Sequence, residues 1–275
     1  MAITTMRPVA PLIGAASKRR SRAMYALRIT GGLATALAGL GWLGLRVQPA
    51  PFPAITPPAA PPATMPLPAG LPAPVERFYR VTYGDQVPVI RSAALSGRGS
   101  MHLFGVTFPA RFRLIHDADR SFRSYFELTA FGQPIITADE HFVDGKFRQE
   151  LPLGVEEGEP KIDHSASVRM WAEWVTWLPA MLLSDPQARW EPIDDETALL
   201  VVPFEERQER LIVRFDPATG TMQYVEGMKY KEAADTTKTL WVNAVWFGER
   251  PWATFNIEDV TYNADVDTSL AAKGP

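Results

Sequence analysis

The 275-residue chain is predicted to be mainly β. The expected fold is a large curved antiparallel sheet (a half-barrel) with one main amphipathic helix packed on its concave face, preceded by an N-terminal membrane helix. Three observations lead there. Apolar and polar residues alternate with period two through much of residues 75–275, as in strands with one buried and one wet face. A single stretch, WAEWVTWLPAMLL (Trp171–Leu183), instead spaces its tryptophans at helical intervals. An uncharged apolar run, Ile29–Leu45, follows a basic cluster.

Charge divides the chain. Residues 1–75 hold seven Lys/Arg and no Asp or Glu, which leaves 21 of the 28 basic residues and all 31 acidic ones, a net −10, for the rest. An acidic body lacks the basic face of a nucleic-acid binder. With no cysteine, disulfides, thiolate nucleophiles, Cys-ligated zinc and an N-terminal lipidated Cys are excluded.

In chain order, residues 1–28 read as a basic cytoplasmic tail and 29–46 as a transmembrane signal-anchor. The apolar run of 17 residues sits at the lower limit for a span, which takes about 20. A cleaved signal peptide fits the same pattern. The anchor is preferred because no small-x-small site follows and Trp42 occupies an interfacial position. The basic cluster then places the body outside the cytoplasm, on the far side of the cell membrane. Residues 47–74 contain 11 of the 25 prolines between Pro49 and Pro74, a density that forbids helix and sheet and favours a semi-rigid polyproline II spacer. Residues 75–275 form the β-rich domain.

That domain opens with a short helix, VERFYRVTYG (Val75–Gly84), with Phe78 and Tyr79 inward. Strands follow. In TFPARFRLIHD, Phe108, Ala110, Phe112 and Leu114 alternate with Pro109, Arg111 and Arg113; in RSFRSYFEL, Phe122, Ser124, Phe126 and Leu128 alternate with Arg123, Tyr125 and Glu127. Asp144-Gly145 is a hairpin signal, and Phe215–Gly220 is a turn built on Pro217 and Gly220. Further strands read as PIITADEHF, ALLVVPF, ERLIVRF, TMQYVEGMKYK, TLWVNAVWF and ATFNIEDVTYN. The long helix is expected to be capped by Ser165 or Ser167, bent at Pro179 and ended at Asp185-Pro186. One face carries Val168, Trp171, Trp174, Val175, Leu178, Met181 and Leu182; Ala172, Glu173, Thr176 and Ala180 lie opposite or on the flank.

Chemical signals are sparse. His102, His116, His141 and His164 show neither HxH nor HExxH spacing, and no metal site or cofactor is assigned. The carboxylates in HDADR and DEH read as solvated charge at turns and strand edges, and Asp194-Asp195 as turn chemistry. There is no nucleophile elbow, phosphate-binding loop or dinucleotide fingerprint. Glu173 is either buried against a basic strand residue or turned to water. No catalytic residue is assigned.

Several segments together resemble a bacterial domain family of unknown function. They are the VERF opening (Val75–Phe78), the Arg-bearing strand Val89–Met101, the helix Trp171–Leu183, WEPIDDETA (Trp190–Ala198), RFD (Arg214–Asp216) and the closing IEDVTYN (Ile257–Asn263). The resemblance implies a shape similar to periplasmic lipoprotein carriers, a curved sheet with an inner helix. It brings no catalytic residues.

The functional expectation is a membrane-tethered, extracytoplasmic domain that binds an apolar, lipid-like ligand between sheet and helix. Trp171, Trp174, Leu178 and Met181 would line one wall, with Phe112, Phe126 and Trp241 facing them. A cell-envelope interaction module without a small ligand is the alternative. A hydrolase or metal enzyme assembled from dispersed His, Asp and Glu is the third reading.

Overall fold

The computed structural model describes residues 13–244 and 253–274. A long helix, α1 (Ile13–Gly44), leads into an extended segment and a short strand β1 (Thr64–Pro66). Helix α2 (Ala73–Tyr83) has proline in its first turn and ends at Gly84, whose positive φ of 76° only glycine adopts at little cost. Strand β2 (Gln86–Pro88) returns to pair with β1.

The strands then build two larger antiparallel sheets. The first is a meander of β3 (Ser92–Leu103), β4 (Val106–Asp117), β5 (Phe122–Ala130), β6 (Gln133–Val143), β7 (Lys146–Leu151) and β8 (Gly154–Glu157). Two helices follow, α3 (Pro160–Trp177) and α4 (Pro179–Ser184). The second sheet comprises β9 (Arg189–Pro192), β10 (Thr197–Phe204), β11 (Arg207–Phe215), β12 (Met222–Lys229) and β13 (Thr239–Ala244). Strand β14 (Ala253–Tyr262) returns to the first sheet beside β3, and a short helix α5 (Asp267–Ala271) closes the chain. The orders are β14-β3-β4-β5-β6-β7-β8 and β13-β12-β11-β10-β9. Gly97 and Gly99 let β14 approach β3: a Cβ on either would lie about 2 Å from a carbonyl oxygen of β14.

The mainly β, antiparallel expectation is met, but the single half-barrel sheet is not. Periodicity tells which residues of a strand face inward; it does not tell which sheet the strand joins. The helix differs correspondingly. Rather than lying on one concave face, α3 is clasped between the sheets. It packs on β10 and β12 of one sheet and on β6 and β7 of the other. Its main core therefore draws Phe112, Leu114, Phe122 and Phe142 from the seven-stranded sheet and Leu200, Leu211, Val213 and Val225 from the five-stranded one. The flank opposite the main apolar face is buried too, including Ala172 and Ala180, and Glu173 takes the buried one of its two alternatives, as befits a helix enclosed on both sides. Neither Ser165 nor Ser167 caps it. The helix starts at Pro160, and the Ser165 hydroxyl instead meets the backbone of Tyr230. Pro179 divides α3 from α4, as its missing N–H requires.

Two N-terminal expectations change. The helix spans Ile13–Gly44 rather than residues 29–46, and among the described residues no helix is long and apolar enough to cross a membrane. Gly31, Gly32, Gly39, Gly41 and Gly44 dilute the apolar run, and Arg28 and Arg46 bound it. Part of the segment expected to be a polyproline II spacer packs against protein. Residues 47–55 lie on the outer face of the seven-stranded sheet. Arg98 Nη1 donates to the Pro49 carbonyl (3.4 Å), Arg111 Nη1 to that of Ala50 (3.0 Å), and Arg113 to that of Pro53. The ring of Phe52 is buried under the guanidinium groups of Arg111 (4.3 Å) and Arg113 (5.1 Å) and beside Tyr125. Ile55 joins a second small core with Ala94, Ile115, Val266 and Leu270. Proline density removes donors without barring sheet from the whole segment, since Thr64–Pro66 pairs as β1, and over residues 47–55 it leaves the carbonyls free to accept from arginine.

Candidate functional site

The structure brings most of the expected ligand-binding residues together, inside a packed core. Trp171, Trp174, Leu178, Met181 and Phe112 are all at most 2% exposed and belong to one cluster, with Phe126 packed at its margin. Trp171 and Trp174 meet edge to face at 5.0 Å, and Phe112 meets Phe255 in the same way at 5.0 Å. Trp241 stands in β13 opposite Gly227; its side chain lies outside the described residues. Among the described residues, two surface recesses stand out, and none of the seven lines either. The larger, about 370 Å³, is an open depression over α2.

The smaller cavity has the more pointed chemistry. It is a recess of about 190 Å³ where α3 passes between β6–β7 and the end of β12. Its polar lining includes Glu140, Gln149, Arg169, Lys229 and Tyr230. Alternation along β6 sends Asp139 and His141 to the outer face and turns Glu140 inward beneath the helix. There Glu140 accepts hydrogen bonds from Arg169 Nη1 (2.6 Å) and Gln149 Nε2 (2.7 Å). Arg169 Nη2 donates to Ser124 Oγ on β5 (2.7 Å), and Nε lies 3.1 Å from Glu173 Oε1, one helical turn on.

From Glu173 the polar chain continues into the core. Its Oε2 is 3.4 Å from Nε2 of the fully buried His116, whose Nδ1 accepts from Trp174 Nε1 at 3.3 Å. An indole nitrogen only donates, so His116 Nδ1 is the acceptor and the neutral ring carries its proton on Nε2, the atom nearest Glu173. Burial, reinforced by the Arg169 charge, pushes the His116 pKa down to about 3. Burial pushes Glu173 up to about 7, against the pull of Arg169. Lys229 is lowered to about 8, again chiefly by burial and then by Arg169. For Arg169 itself, burial works against the charge, but Glu140 and Glu173 more than offset it and its pKa is raised. The result is an arginine-centred cluster that can hold or release a proton at Glu173 near neutral pH, with a solvent-facing mouth.

The other histidines stand apart. His141 lies 3.1 Å from Asp139 on the outer face, and His164 lies 2.8 Å from Glu209. Among the described residues no group of three or more His, Asp or Glu is arranged to hold a metal. Reading the carboxylates of DEH as solvated charge fails, since Asp139 and Glu140 are buried; in HDADR it holds for the exposed Asp119, with Asp117 half-buried. A local signal for the cluster existed: Arg169 and Glu173 form an i,i+4 pair inside an otherwise apolar helical stretch. Nothing local announced Ser124, Glu140 or Lys229.

The fold and site define a class, a two-sheet antiparallel domain that clasps a helix and carries a charged recess at one end of it. Residues 61–254 match DUF6544, a family of unknown function, and the chain belongs to that family. No curated protein matches the chain.

Proposed function

We propose that this chain is a binding domain held at a membrane surface, and that its site is the recess beside α3. The ligand class is a small polar molecule bearing a carboxylate or phosphate. One observation carries the reading: a half-buried guanidinium, Arg169, sits with Lys229 at the wall of an open recess, locked by Glu140, Glu173 and Ser124. Buried charge of this kind contributes little to stability compared with apolar packing, and perturbed titratable groups in a cleft are the pattern of functional sites. An apolar ligand between helix and sheet would have to displace Trp171 and Trp174 from a filled core, so the recess is the better-supported site. The membrane half of the proposal is supported by α1, which exposes Leu27, Ile29, Leu33, Leu37, Leu40 and Leu43.

Thermal-shift measurements on the full chain with a panel of small carboxylates and phosphates test the binding reading. At least one class should raise the melting temperature of the wild type and leave Lys229→Met unmoved. A panel without effect, together with native mass spectrometry showing only the bare mass, would sink it.

A further inference from the structure

In the seven-stranded meander, the turns after β3, β5 and β7 lie at one end of the sheet, and those after β4 and β6 lie at the other. Three of these hairpins share one geometry, a two-residue turn of a positive-φ residue followed by glycine. At the far end that residue is Asp144 (φ 52°), a type the left-handed region tolerates. At the first end it is Phe104 (φ 51°) and Phe131 (φ 53°), bulky side chains for which this conformation is a genuine outlier. Positive φ at a bulky residue is not confined to this end, since Arg120 (φ 64°) stands in the turn after β4; what distinguishes the two ends is the side chains displayed.

What these turns display is apolar. Phe104 is 87% exposed and Leu153, in the turn after β7, is 100% exposed; Leu103, Val106, Phe131, Ile135, Leu151 and Val155 are exposed around them. The hairpin segments Met101–Pro109, Leu128–Ala138 and Leu151–Val155 contain no Asp, Glu, Lys or Arg. The far end carries Asp117, Asp119, Arg120, Asp144 and Lys146. Helix α1 ends at the apolar end: Phe131 N–H donates to the Gly44 carbonyl at 2.8 Å, and the Phe131 ring packs where any Cβ on Gly44 would sit. The exposed leucines of α1 thus run directly into the exposed tips.

We propose that this end of the sheet is a bilayer-contact surface, dipping the tips at Phe104, Phe131 and Leu153 into the lipid interface beside α1. A bilayer fits better than a protein partner. The tips are exposed side chains on three separate hairpin turns, and they adjoin the C-terminal end of α1, whose N-terminal half carries Lys18, Arg19, Arg20, Arg22 and Arg28. The inference rests on the reading of α1 as the membrane-held element and adds a second contact that fixes the domain's orientation, recess included.

The absence of cysteine makes the test direct. Full-length chains with one environment-sensitive fluorophore, attached through Phe104→Cys, Leu153→Cys, Asp144→Cys or Leu37→Cys, are mixed with vesicles of phosphatidylcholine and phosphatidylglycerol. The labels at 104, 153 and 37 should blue-shift and lose quenching by aqueous iodide, while the label at 144 stays unchanged. A shift at 37 without one at 104 and 153 would leave the membrane-held reading standing and overturn the tip contact. No shift anywhere would overturn both. A shift at 104 and 153 that appears without vesicles as protein concentration rises would assign the tips to self-association and overturn the proposal.

Discussion

The two faces of the seven-stranded sheet are covered by different means. Inside, α3 seals Phe112, Leu114 and Phe122 under two tryptophans, and the Arg169 cluster sits at the margin of a continuous apolar core. Outside, the strands present Arg98, Arg111, Arg113 and Arg123 with Glu127, Asp139 and Glu258 as partners. Over these lies a proline-rich strap that anchors through one phenylalanine and a few carbonyls. The difference separates two kinds of stability. Burial of large side chains from two sheets and a helix is cooperative, because removing one member leaves a void that its neighbours cannot close. A strap held by arginine-to-carbonyl bonds at a half-wet surface can open alone, at a fraction of the global free energy.

The largest expected effect falls on the inner cover. Trp174→Ala opens a cavity and removes the donor to His116, and should destabilise by roughly 3–5 kcal/mol in urea titrations. All core strands of both sheets should lose hydrogen-exchange protection together. Loss confined to one sheet would mean that α3 does not couple them.

Proton linkage distinguishes the faces next. Between pH 4.5 and 7, folded Glu173 keeps a proton that the unfolded chain has released, so its contribution falls as pH rises through that window, on the order of 3 kcal/mol in all. Between pH 3 and 6.5, the unfolded chain holds a proton on His116 that the folded state lacks, so this contribution rises with pH. The two oppose each other between pH 4.5 and 6.5. Of the charged groups around them, Arg169 stays charged, Glu140 faces it from β6, and Lys229, on β12, acts only above about pH 8. Glu173→Gln should therefore leave stability rising with pH up to 6.5, and His116→Gln should leave it falling from 4.5 to 7. Identical profiles in the two variants would dissolve the pairing of these groups. On the outer face, burial raises the Asp139 pKa, but hydrogen bonds from His141 and Arg123 more than offset this and hold it below the usual range. Its contribution is present above pH 3.8 and is lost only in stronger acid, so the outer cover should be silent near neutrality.

The contrast also explains what the sequence disclosed. Strands such as Thr107–Asp117 announce themselves because Phe112 and Leu114 must face a core while Arg111 and Arg113 must not, a local constraint. The helix was legible for the same reason, through the spacing of Trp171 and Trp174. Its enclosure on a second side depends on β12, some 50 residues later, and shows locally only as a shortage of charge on the supposed wet flank. The arginine cluster draws on β5, β6, α3 and β12, so only the Arg169–Glu173 spacing could be read. The strap was hidden by its composition. Prolines disfavour regular structure without excluding docking, and the large apolar side chains of Phe52 and Ile55 among them were the available hint.

The outer cover offers the mildest and most local perturbations. Phe52→Ala removes the strap's buried ring from Arg111, Arg113 and Tyr125, and should cost about 1–2 kcal/mol because water can refill a site at the sheet surface. The strap should become accessible to proteolysis between residues 47 and 55 while β10–β12 keep their exchange protection. Arg111→Lys is milder still. It keeps the charge opposite Glu127 but loses the planar group that lies over Phe52 while donating to both Glu127 and the Ala50 carbonyl. A loss below about 1 kcal/mol is expected, visible as faster exchange in the strap alone. If either substitution instead unfolded the protein as completely as Trp174→Ala, the strap would belong to the same cooperative unit as α3, and the sheet would have one cover in two pieces.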